Sequence, residues 1–250
     1  RMDKFRIVTG IAMPFSHGPQ RPKDGDQMTD IQVLNTIMDR RFSCRGFLDK
    51  SVDRKVIDAI VATAQKVPSW CNSQPWQLHL LSPRARDRLS VRLLQAAQDG
   101  QEAPDIAFPE RYSGAYKHRR SVCGWQLYDA VGVKKGDRDG SIRQMMENYR
   151  FFGAPHVAII STPRELGAYG ALDCGAFVTA FTLAASAHGV ATIPQAAVAG
   201  KAAIVRDVIG LDAARDVLCA ISFGYADPDH PANAFRTERA GLDEVVFDVD

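Results

Sequence analysis

The segment "YGALDCGAFVTAFTLAASAHGV", residues 169–190, is long, apolar and rich in small residues, and it decides the fold class. Its most apolar part, residues 177–187, is interrupted by Thr179, Thr182 and Ser186. No uninterrupted apolar run reaches the roughly 18 residues that a membrane-spanning helix needs. Because small side chains let other elements approach closely on several sides, we predict a buried helix in a domain core or at a subunit interface.

Helical and strand patterns alternate on both sides of this segment. Apolar residues at helical spacing predict helices at residues 30–40, 52–67, 83–100, 116–131 and 141–149. Ser51 is the expected N-cap of the second helix. Apolar runs predict strands at "WQLHLL" (76–81), "HVAIIS" (156–161) and "VLCAISFGYA" (217–226), with "LDEVVF" (242–247) as one more candidate extended segment.

Length and composition limit the domain organisation and the partners. A chain of 250 residues with 46% hydrophobic residues can bury the core of one large domain or two small ones. Met28 begins the globular pattern, so we predict an N-terminal extension, residues 1–27, and one domain, residues 28–250. The net charge of +2, from 31 basic and 29 acidic residues, argues against a nucleic-acid binder.

The cysteines and the N-terminus indicate the compartment. Five cysteines are an odd number, they are widely spaced and they include no Cys-x-x-Cys pair, so we expect reduced thiols and no disulfide or zinc framework. The N-terminus lacks the regions of a signal peptide. We therefore expect a cytoplasmic protein without a membrane or nucleic-acid partner.

Common catalytic and phosphate-binding motifs are absent. No G-x-G-x-x-G follows a strand, and the chain has no complete P-loop, no G-x-S-x-G and no H-E-x-x-H. The six histidines lie in separate segments. Hydrolase and metalloenzyme functions thus lose most of their support, and no metal site is predicted.

Two groups of arginines are the candidate binding residues that remain. In "DRRFSCRGF", residues 39–47, Arg41, Ser43 and Arg45 lie two apart, so their side chains converge on one side of an extended loop. Guanidinium groups bind phosphate bidentately, and a serine hydroxyl adds a donor. Arg236 and Arg239 form a second group near the C-terminus. By itself, each group also fits an exposed basic surface.

The turn "PSWCNSQPW", residues 68–76, joins a helical pattern to an alternating one. Ser69 is a common turn residue and Asn72 a common Asx-turn residue, so a local structural role is as good an interpretation as a binding role. Trp70 and Trp76 are expected to pack. Asp173 in the apolar helix is a candidate functional residue, although a satisfied buried carboxylate or a helix–helix contact is the preferred interpretation.

Four motifs occur in a fixed order: "RFSCRGF" (41–47), "PSWCNSQPW" (68–76), "HGVATIPQ" (188–195), which ends the apolar helix, and "GYADP…RTERAGLDEVV" (224–246). In this order they resemble the nitroreductase family of FMN-dependent oxidoreductases, particularly its nitrobenzoate reductases, over residues 30–246. The resemblance implies an α+β fold with a mixed sheet flanked by helices. It also implies an intertwined homodimer with two FMN sites at its interface.

The resemblance assigns roles to the arginine segment. Arg41 and Ser43 would contact the FMN phosphate or ribityl chain, with Phe42 contributing its backbone. Arg45 would lie beside flavin N1 and O2, where a fixed guanidinium stabilises the negative charge that two-electron reduction leaves. The expected phosphate clamp is completed by Arg239 and, as a weaker expectation, Arg236.

Three further segments would contact the flavin. The turn would reach it from the other subunit through Pro68, Ser69 and Asn72. Asn148 would contact the pyrimidine edge. The segment beside the isoalloxazine, with a backbone N–H for N5, would consist of Thr192, Ile193, Pro194 and Gln195. Some family members have an acidic residue just after the proline, where this chain has Gln195 and Ala196.

The activity implied is ping-pong reduction of nitroaromatic or quinone-like acceptors with NADPH or NADH. Flavin N5 would carry the chemistry, so no catalytic protein residue is assigned and Arg45 is an electrostatic stabiliser. The acceptor site would be roofed by Tyr112, Tyr116 and Trp125, for which core packing is equally expected. The alternatives are a flavoenzyme of the same fold with another acceptor, reductive dehalogenase-like or flavin-destroying, and a non-catalytic flavin-binding protein.

Overall fold

The computed structural model describes residues 28–249. The chain divides into two compact units, residues 1–36 and residues 37–250. The predicted N-terminal extension, residues 1–27, lies outside the described residues. In the first unit the described part is residues 28–36, which include the start of the first helix.

Helices and short strands alternate along the chain. The helices are α1 (Asp30–Arg40), α2 (Arg54–Ala64), α3 (Pro83–Gln98), α4 (Gly114–Ala130), α5 (Arg138–Met146), α6 (Gly167–Ala187), α7 (Ala196–Ala199) and α8 (Ala202–Ile209). The strands are β1 (Gln77–Leu80), β2 (His156–Pro163), β3 (Ala191–Gln195) and β4 (Arg215–Gly224). The α+β class is therefore confirmed.

The strands form one sheet in the order β1-β2-β4-β3. All three neighbouring pairs are antiparallel. The prediction of a mixed sheet was therefore wrong for the four strands. Among the described residues the one parallel element is an isolated bridge between Ser43 and Thr192. The segment after α1 pairs with β3 through this one bridge, which is too short to make a strand.

The sheet separates two apolar cores, because alternate residues of β2 point to opposite faces. On one face Ala158 and Ile160 pack with α2 and α6. On the other face Val157 and Ile159 pack with α3 and α8. Helices thus cover β2 on both faces, and the centre of the sheet is a rigid base for what lies at its edges.

Among the described residues, one helical segment, residues 164–187, has the length and composition to cross a membrane. It contains α6, whose Cys174, Phe177 and Phe181 are buried in the core beside α2 and β2. Core helices of soluble proteins pass the same test, and the buried helix predicted from residues 169–190 is the one observed.

Three local predictions were wrong. Asp53, not Ser51, caps α2, since its side chain accepts from the Lys55 N–H at 2.7 Å. Residues 242–244 form a short 3₁₀ turn instead of a strand. The segment "HGVATIPQ" is not the end of the helix, because Gly189 adopts φ 72°, a left-handed conformation that ends helices, and β3 follows.

Candidate functional site

The arginine segment lies against β3. The Cys44 N–H donates to the Thr192 carbonyl at 3.0 Å, beside the bridge between Ser43 and Thr192. Phe47 then forms a bridge with Ala226, just beyond β4. The predicted phosphate-binding loop and the predicted flavin-edge segment are therefore neighbours in the fold.

Arg41, Arg236 and Arg239 converge beside this loop. Burial, and after it the positive charges of Arg239 and Arg236, lower the pKa of the Arg41 guanidinium. Arg236 donates to the carbonyls of Asn233 and Phe235, both at 2.8 Å, and Arg239 donates to the Thr237 hydroxyl at 2.9 Å. Among the described residues, none of the three pairs with a carboxylate. Three close guanidinium groups without a counter-charge are the arrangement that binds an anion.

Phe42 supports this cluster through its ring. The Arg236 guanidinium carbon lies 3.9 Å from the centroid of the Phe42 ring. A cation stacked on an aromatic face is held electrostatically without losing its charge. The sequence assigned Phe42 a backbone role only, and the ring contact is an addition to it.

Arg45 is positioned by its backbone and by burial. Its N–H donates to Asn233 Oδ1 at 2.8 Å, and its guanidinium donates to the Ser43 carbonyl at 3.3 Å. Burial lowers the pKa of Arg45. The buried Asn233 amide also donates to the Gly46 and Asp227 carbonyls, both at 2.9 Å. Sequence reasoning missed Asn233, whose only signal is its place just before Arg236.

Residues of the arginine segment line two cavities. One of about 420 Å³ is lined by Arg45, Phe152 and His230 together with residues of α5. A smaller one of about 120 Å³ lies beside Arg41, Phe42 and Thr192. The larger volume falls in the range of pockets that hold cofactors or small substrates.

Asn148 and Gln195 are linked at the end of β3. The Gln195 amide donates to the Asn148 carbonyl at 2.8 Å, and its oxygen accepts from the Ser222 hydroxyl. Gln195 is buried, so its side chain is occupied within the protein and only its backbone remains for the predicted role. Pro194 has no N–H, so a backbone donor to a ligand must come from another residue of this segment.

The turn at residues 68–76 has an unusual backbone. Cys71, Asn72 and Gln74 have φ values of 50°, 55° and 46°, in the left-handed region. For a residue other than glycine this conformation costs about 1–2 kcal/mol. The turn is held by Asp173 of α6, whose carboxylate accepts from the Trp70 N–H at 3.1 Å. The Asp173 carboxylate is half-buried and has its hydrogen-bond donor in the turn. The sequence did not identify this contact.

Within one chain, the turn at residues 68–76 and the arginine segment are far apart. The turn precedes β1, at one edge of the sheet, whereas the arginine segment lies along β3, at the other edge. Three strand spacings separate these edges, roughly 14 Å. Among the described residues no hydrogen bond joins Pro68, Ser69 or Asn72 to the arginine segment.

The aromatic residues divide into core and surface. Trp76 stacks on Phe177 with ring centroids 5.2 Å apart, as expected of a packing residue. Trp70 is exposed, with its ring edge-on to Tyr169. The three aromatic residues of the α4 region are also exposed, which rules out core packing for Tyr112, Tyr116 and Trp125.

Three of the five cysteines are shielded from solvent and weakly acidic. Burial raises the pKa of Cys44 and Cys174 to about 11 and that of Cys219 to about 12, so these thiols are poor nucleophiles. Within the described residues no group of three or more His, Cys, Asp and Glu side chains is arranged to hold a metal ion.

Comparison with known proteins gives consistent matches over most of the chain. The model of the nitroreductase family matches residues 38–225. Nitroreductase NfnB of Mycolicibacterium smegmatis is 36% identical over 218 residues, which are 86% of this chain and 92% of that protein. A 4-nitrobenzoate reductase of Pseudomonas putida is 31% identical over 82% of this chain and 91% of its own length.

Solved structures match over a similar range. The crystal structure of the FMN-dependent nitroreductase NfnB from Mycobacterium smegmatis in complex with NADPH has a TM-score of 0.84 and 34% identity. It covers 88% of this chain and 99% of that one. A nitroreductase with bound FMN from Desulfitobacterium hafniense, at 16% identity, has a TM-score of 0.57 over 87% of this chain and 98% of its own, which shows the fold alone.

Proposed function

The chain belongs to the nitroreductase family, and from that membership we propose that it is an FMN-dependent oxidoreductase that uses NADPH or NADH to reduce nitroaromatic or quinone-like acceptors. The observation that carries the proposal is the group of Arg41, Arg236 and Arg239, which has no carboxylate partner among the described residues and lies beside β3. The chain has the fold of an FMN-dependent nitroreductase crystallised with NADPH, to which it is 34% identical.

The residues present fit FMN by their chemistry. A phosphate monoester carries up to two negative charges and several acceptor oxygens, which match the three guanidinium groups and the Ser43 hydroxyl. The Arg41 guanidinium makes no hydrogen bond to any described residue, so its donors remain for a ligand; only its backbone N–H is used, by the Ile37 carbonyl. We assign phosphate binding to Arg41, Ser43 and Arg239. Arg236, which stacks on the Phe42 ring, adds positive charge near the phosphate.

FMN, when bound, supplies two-electron transfer between NAD(P)H and an acceptor. The protein contributes orientation and electrostatics. Arg45 is fixed by the Asn233 side chain and half-buried, so its positive charge acts in a medium of low dielectric constant. At the pyrimidine edge of the flavin this charge stabilises the negative charge that develops on reduction. The backbone of Thr192–Gln195 and Asn148 would border the same ring system.

We propose that reductant and acceptor use one cavity in turn, which gives ping-pong kinetics. The cavity of about 420 Å³ beside Arg45 is the larger of the two at the arginine segment. The exposed Tyr112, Tyr116 and Trp125 supply flat apolar surface on which an aromatic acceptor can stack. A cytoplasmic location suits the five cysteines, which form no disulfide.

A homodimer completes the site in this proposal. The turn and the arginine segment lie at opposite edges of one sheet, so the turn can reach a flavin site only if it belongs to a second copy. A two-fold axis then forms two identical sites, each from both chains.

The surface of the second unit supports this assembly. Among the described strands β1 pairs only with β2, and beside it lies a groove of about 350 Å³. It is lined by apolar residues that include Val61, Leu78 and Phe177 and by the polar Arg54, Asp58 and Gln65. The C-terminal segment, residues 242–249, exposes Leu242, Val245, Val246, Phe247 and Val249. We assign this segment to the β1 groove of the partner.

The proposal is tested with purified protein. We expect a yellow dimer by light scattering, anaerobic loss of the yellow colour on addition of NADPH or NADH, and its return on addition of 4-nitrobenzoate or a quinone. Steady-state plots at several acceptor concentrations should give parallel lines. A protein that remains colourless after incubation with FMN contradicts the proposal, and one that binds FMN but is not reduced by either nucleotide is a binding protein.

A further inference from the structure

The turn at residues 68–76 combines an exposed position with a strained backbone. Its residues from Trp70 to Gln74 are exposed, yet Cys71, Asn72 and Gln74 keep left-handed backbones. Such conformations persist where surrounding contacts over-determine them. The contacts that do so are therefore of functional interest.

One set of contacts lies within the turn. The Gln74 N–H donates to Ser69 Oγ at 2.9 Å, and the Gln74 amide donates to Asn72 Oδ1 at 3.1 Å. Gln74 thus orients the two polar side chains that the resemblance assigns to the flavin. With its oxygen accepting from Gln74, the Asn72 amide keeps its N–H donors for a ligand.

The second set comes from α6, about 100 residues away in sequence. The Asp173 carboxylate accepts from the Trp70 N–H, at 3.1 and 3.3 Å from its two oxygens, and from the Ser73 hydroxyl at 3.5 Å. Tyr169, one helical turn earlier on the same face, contacts the Trp70 ring at 4.2 Å between centroids. Since α6 is fixed in the core by Cys174 and Phe177, it transmits the rigidity of the core to the turn.

We propose that Asp173 is a positioning residue that holds the turn in the shape in which Ser69 and Asn72 reach the FMN site of a second copy of this chain. The inference rests on the proposed function. Asp173 contacts neither the arginine segment nor β3 among the described residues, so it acts through the turn. Its effect is exerted across the dimer, on the site whose arginines belong to the other chain.

The first test compares single variants. Asp173→Ala should weaken FMN binding about tenfold, the effect of one hydrogen bond to a charged group, while circular dichroism shows an unchanged fold. Asp173→Asn keeps an oxygen acceptor and should bind FMN with intermediate affinity. Glu165→Ala is the matched control, because Glu165 is exposed just before α6 and makes no hydrogen bond or ion pair to a described residue. Wild-type FMN affinity in Asp173→Ala would overturn the inference.

The second test asks which site Asp173 serves. Two differently tagged chains are co-expressed and the mixed dimer is purified through both tags. In the split arrangement one chain carries Arg41→Ala and the other Asp173→Ala, and both defects then fall on one site. In the joined arrangement one chain carries both substitutions, and each site then has one defect.

At an FMN concentration near the wild-type dissociation constant, we expect about half of the wild-type activity in the split dimer and little in the joined dimer, from the two-fold symmetry of the sites. The reverse pattern would place the effect of Asp173 in its own chain, and equal activities would reduce it to a structural role; either result overturns the inference. If Asp173→Ala does not fold, Asp173→Asn replaces it in both arrangements. A colourless or inactive wild-type protein would instead contradict the proposed function.

Discussion

Arg164 and Arg206 form ion pairs with Asp216 and Asp105, and Arg215, whose carbonyl accepts from Arg206, donates to carbonyls and a hydroxyl. Arg41, Arg236 and Arg239 have no carboxylate partner among the described residues, although Arg236 and Arg239 donate to nearby carbonyls. In the first group, Asp105 accepts from Arg206 at 2.7 Å and from the Val217 N–H at 2.8 Å. We call this group the paired cluster.

In the second group, the unpaired cluster, no carboxylate of the described residues neutralises Arg41, Arg236 or Arg239. The hydrogen bond to Asp216 raises the pKa of Arg164, while burial and like charges lower the pKa of Arg41. One molecule thus contains arginines that stabilise the fold and arginines whose charge a ligand must balance.

The largest expected effect is on the paired cluster. Asp105→Ala removes the carboxylate shared by Arg206 and the Val217 N–H. It leaves the buried Val217 N–H without an acceptor, and the half-buried Arg206 guanidinium without a counter-charge, bonded only to the Arg215 carbonyl. We expect a loss of about 3 kcal/mol in the free energy of unfolding, measured by urea denaturation. FMN affinity of the folded protein should be unchanged. The control is Asp207→Ala, which removes an exposed ion pair with Arg92 and should cost less than about 1 kcal/mol; equal losses in both variants would remove the distinction.

The unpaired cluster should respond in the opposite way. Arg41→Ala should weaken FMN binding about 10–100-fold, as expected for charge-assisted hydrogen bonds, and leave the urea midpoint of the FMN-free protein unchanged or raised, since a like charge is removed. Arg92→Ala, which removes the exposed ion pair with Asp207, is the control. A destabilised FMN-free protein would mean that Arg41 belongs to the fold.

Arg45 is intermediate in character between the two groups. Its guanidinium has no carboxylate partner among the described residues, but it donates to the Ser43 carbonyl of the same chain. Arg45→Ala should weaken FMN binding and lower the reduction potential of the bound flavin by about 30 mV, equal to about 1.4 kcal/mol for a two-electron couple. Arg45→Lys keeps the charge and should retain most of the potential. An unchanged potential in the alanine variant would exclude an electrostatic role.

The smallest effect concerns pH and the paired cluster. Burial, and after it the nearby charge of Arg215, lower the pKa of His79 below 6.5, and its Nε2 lies 3.1 Å from Ser161 Oγ. A depressed pKa means that the folded state binds the proton less well than the unfolded state. Stability is then complete above pH 6.5 and falls as the pH drops below it. Urea midpoints should decline between pH 7.5 and 5.5, and less steeply in His79→Gln; identical slopes would exclude His79 as the source.

The sequence predicted the parts of the site that are local. Arg41, Ser43 and Arg45 lie in one short motif, and the family resemblance implied that it and Thr192 border one flavin. The structure has Ser43 beside Thr192, and the flavin contacts themselves stay a prediction. The supporting contacts were out of reach because they join distant residues, such as Asp173 to Trp70 and Asn233 to Arg45.

Secondary structure was predicted where the periodic pattern is long, as in α6, and missed where it is short. Residues 191–195 contain Pro194 and directly follow a helix, so no alternation marked them as β3. Residues 242–247 alternate as a strand would, yet no described strand pairs with them and they form a turn. Pairing is a tertiary property that such short patterns do not encode.

The most direct test of the central claim, that the unpaired cluster binds the phosphate of FMN, compares the affinities of FMN and riboflavin, which lacks the phosphate. Both are titrated calorimetrically into the flavin-free wild-type protein and the Arg41→Ala variant. We predict that the wild-type protein binds FMN at least about 100-fold more tightly than riboflavin, and that the variant loses most of this preference while its riboflavin affinity stays the same. Equal wild-type affinities for the two flavins, or the same preference in both proteins, would contradict the account.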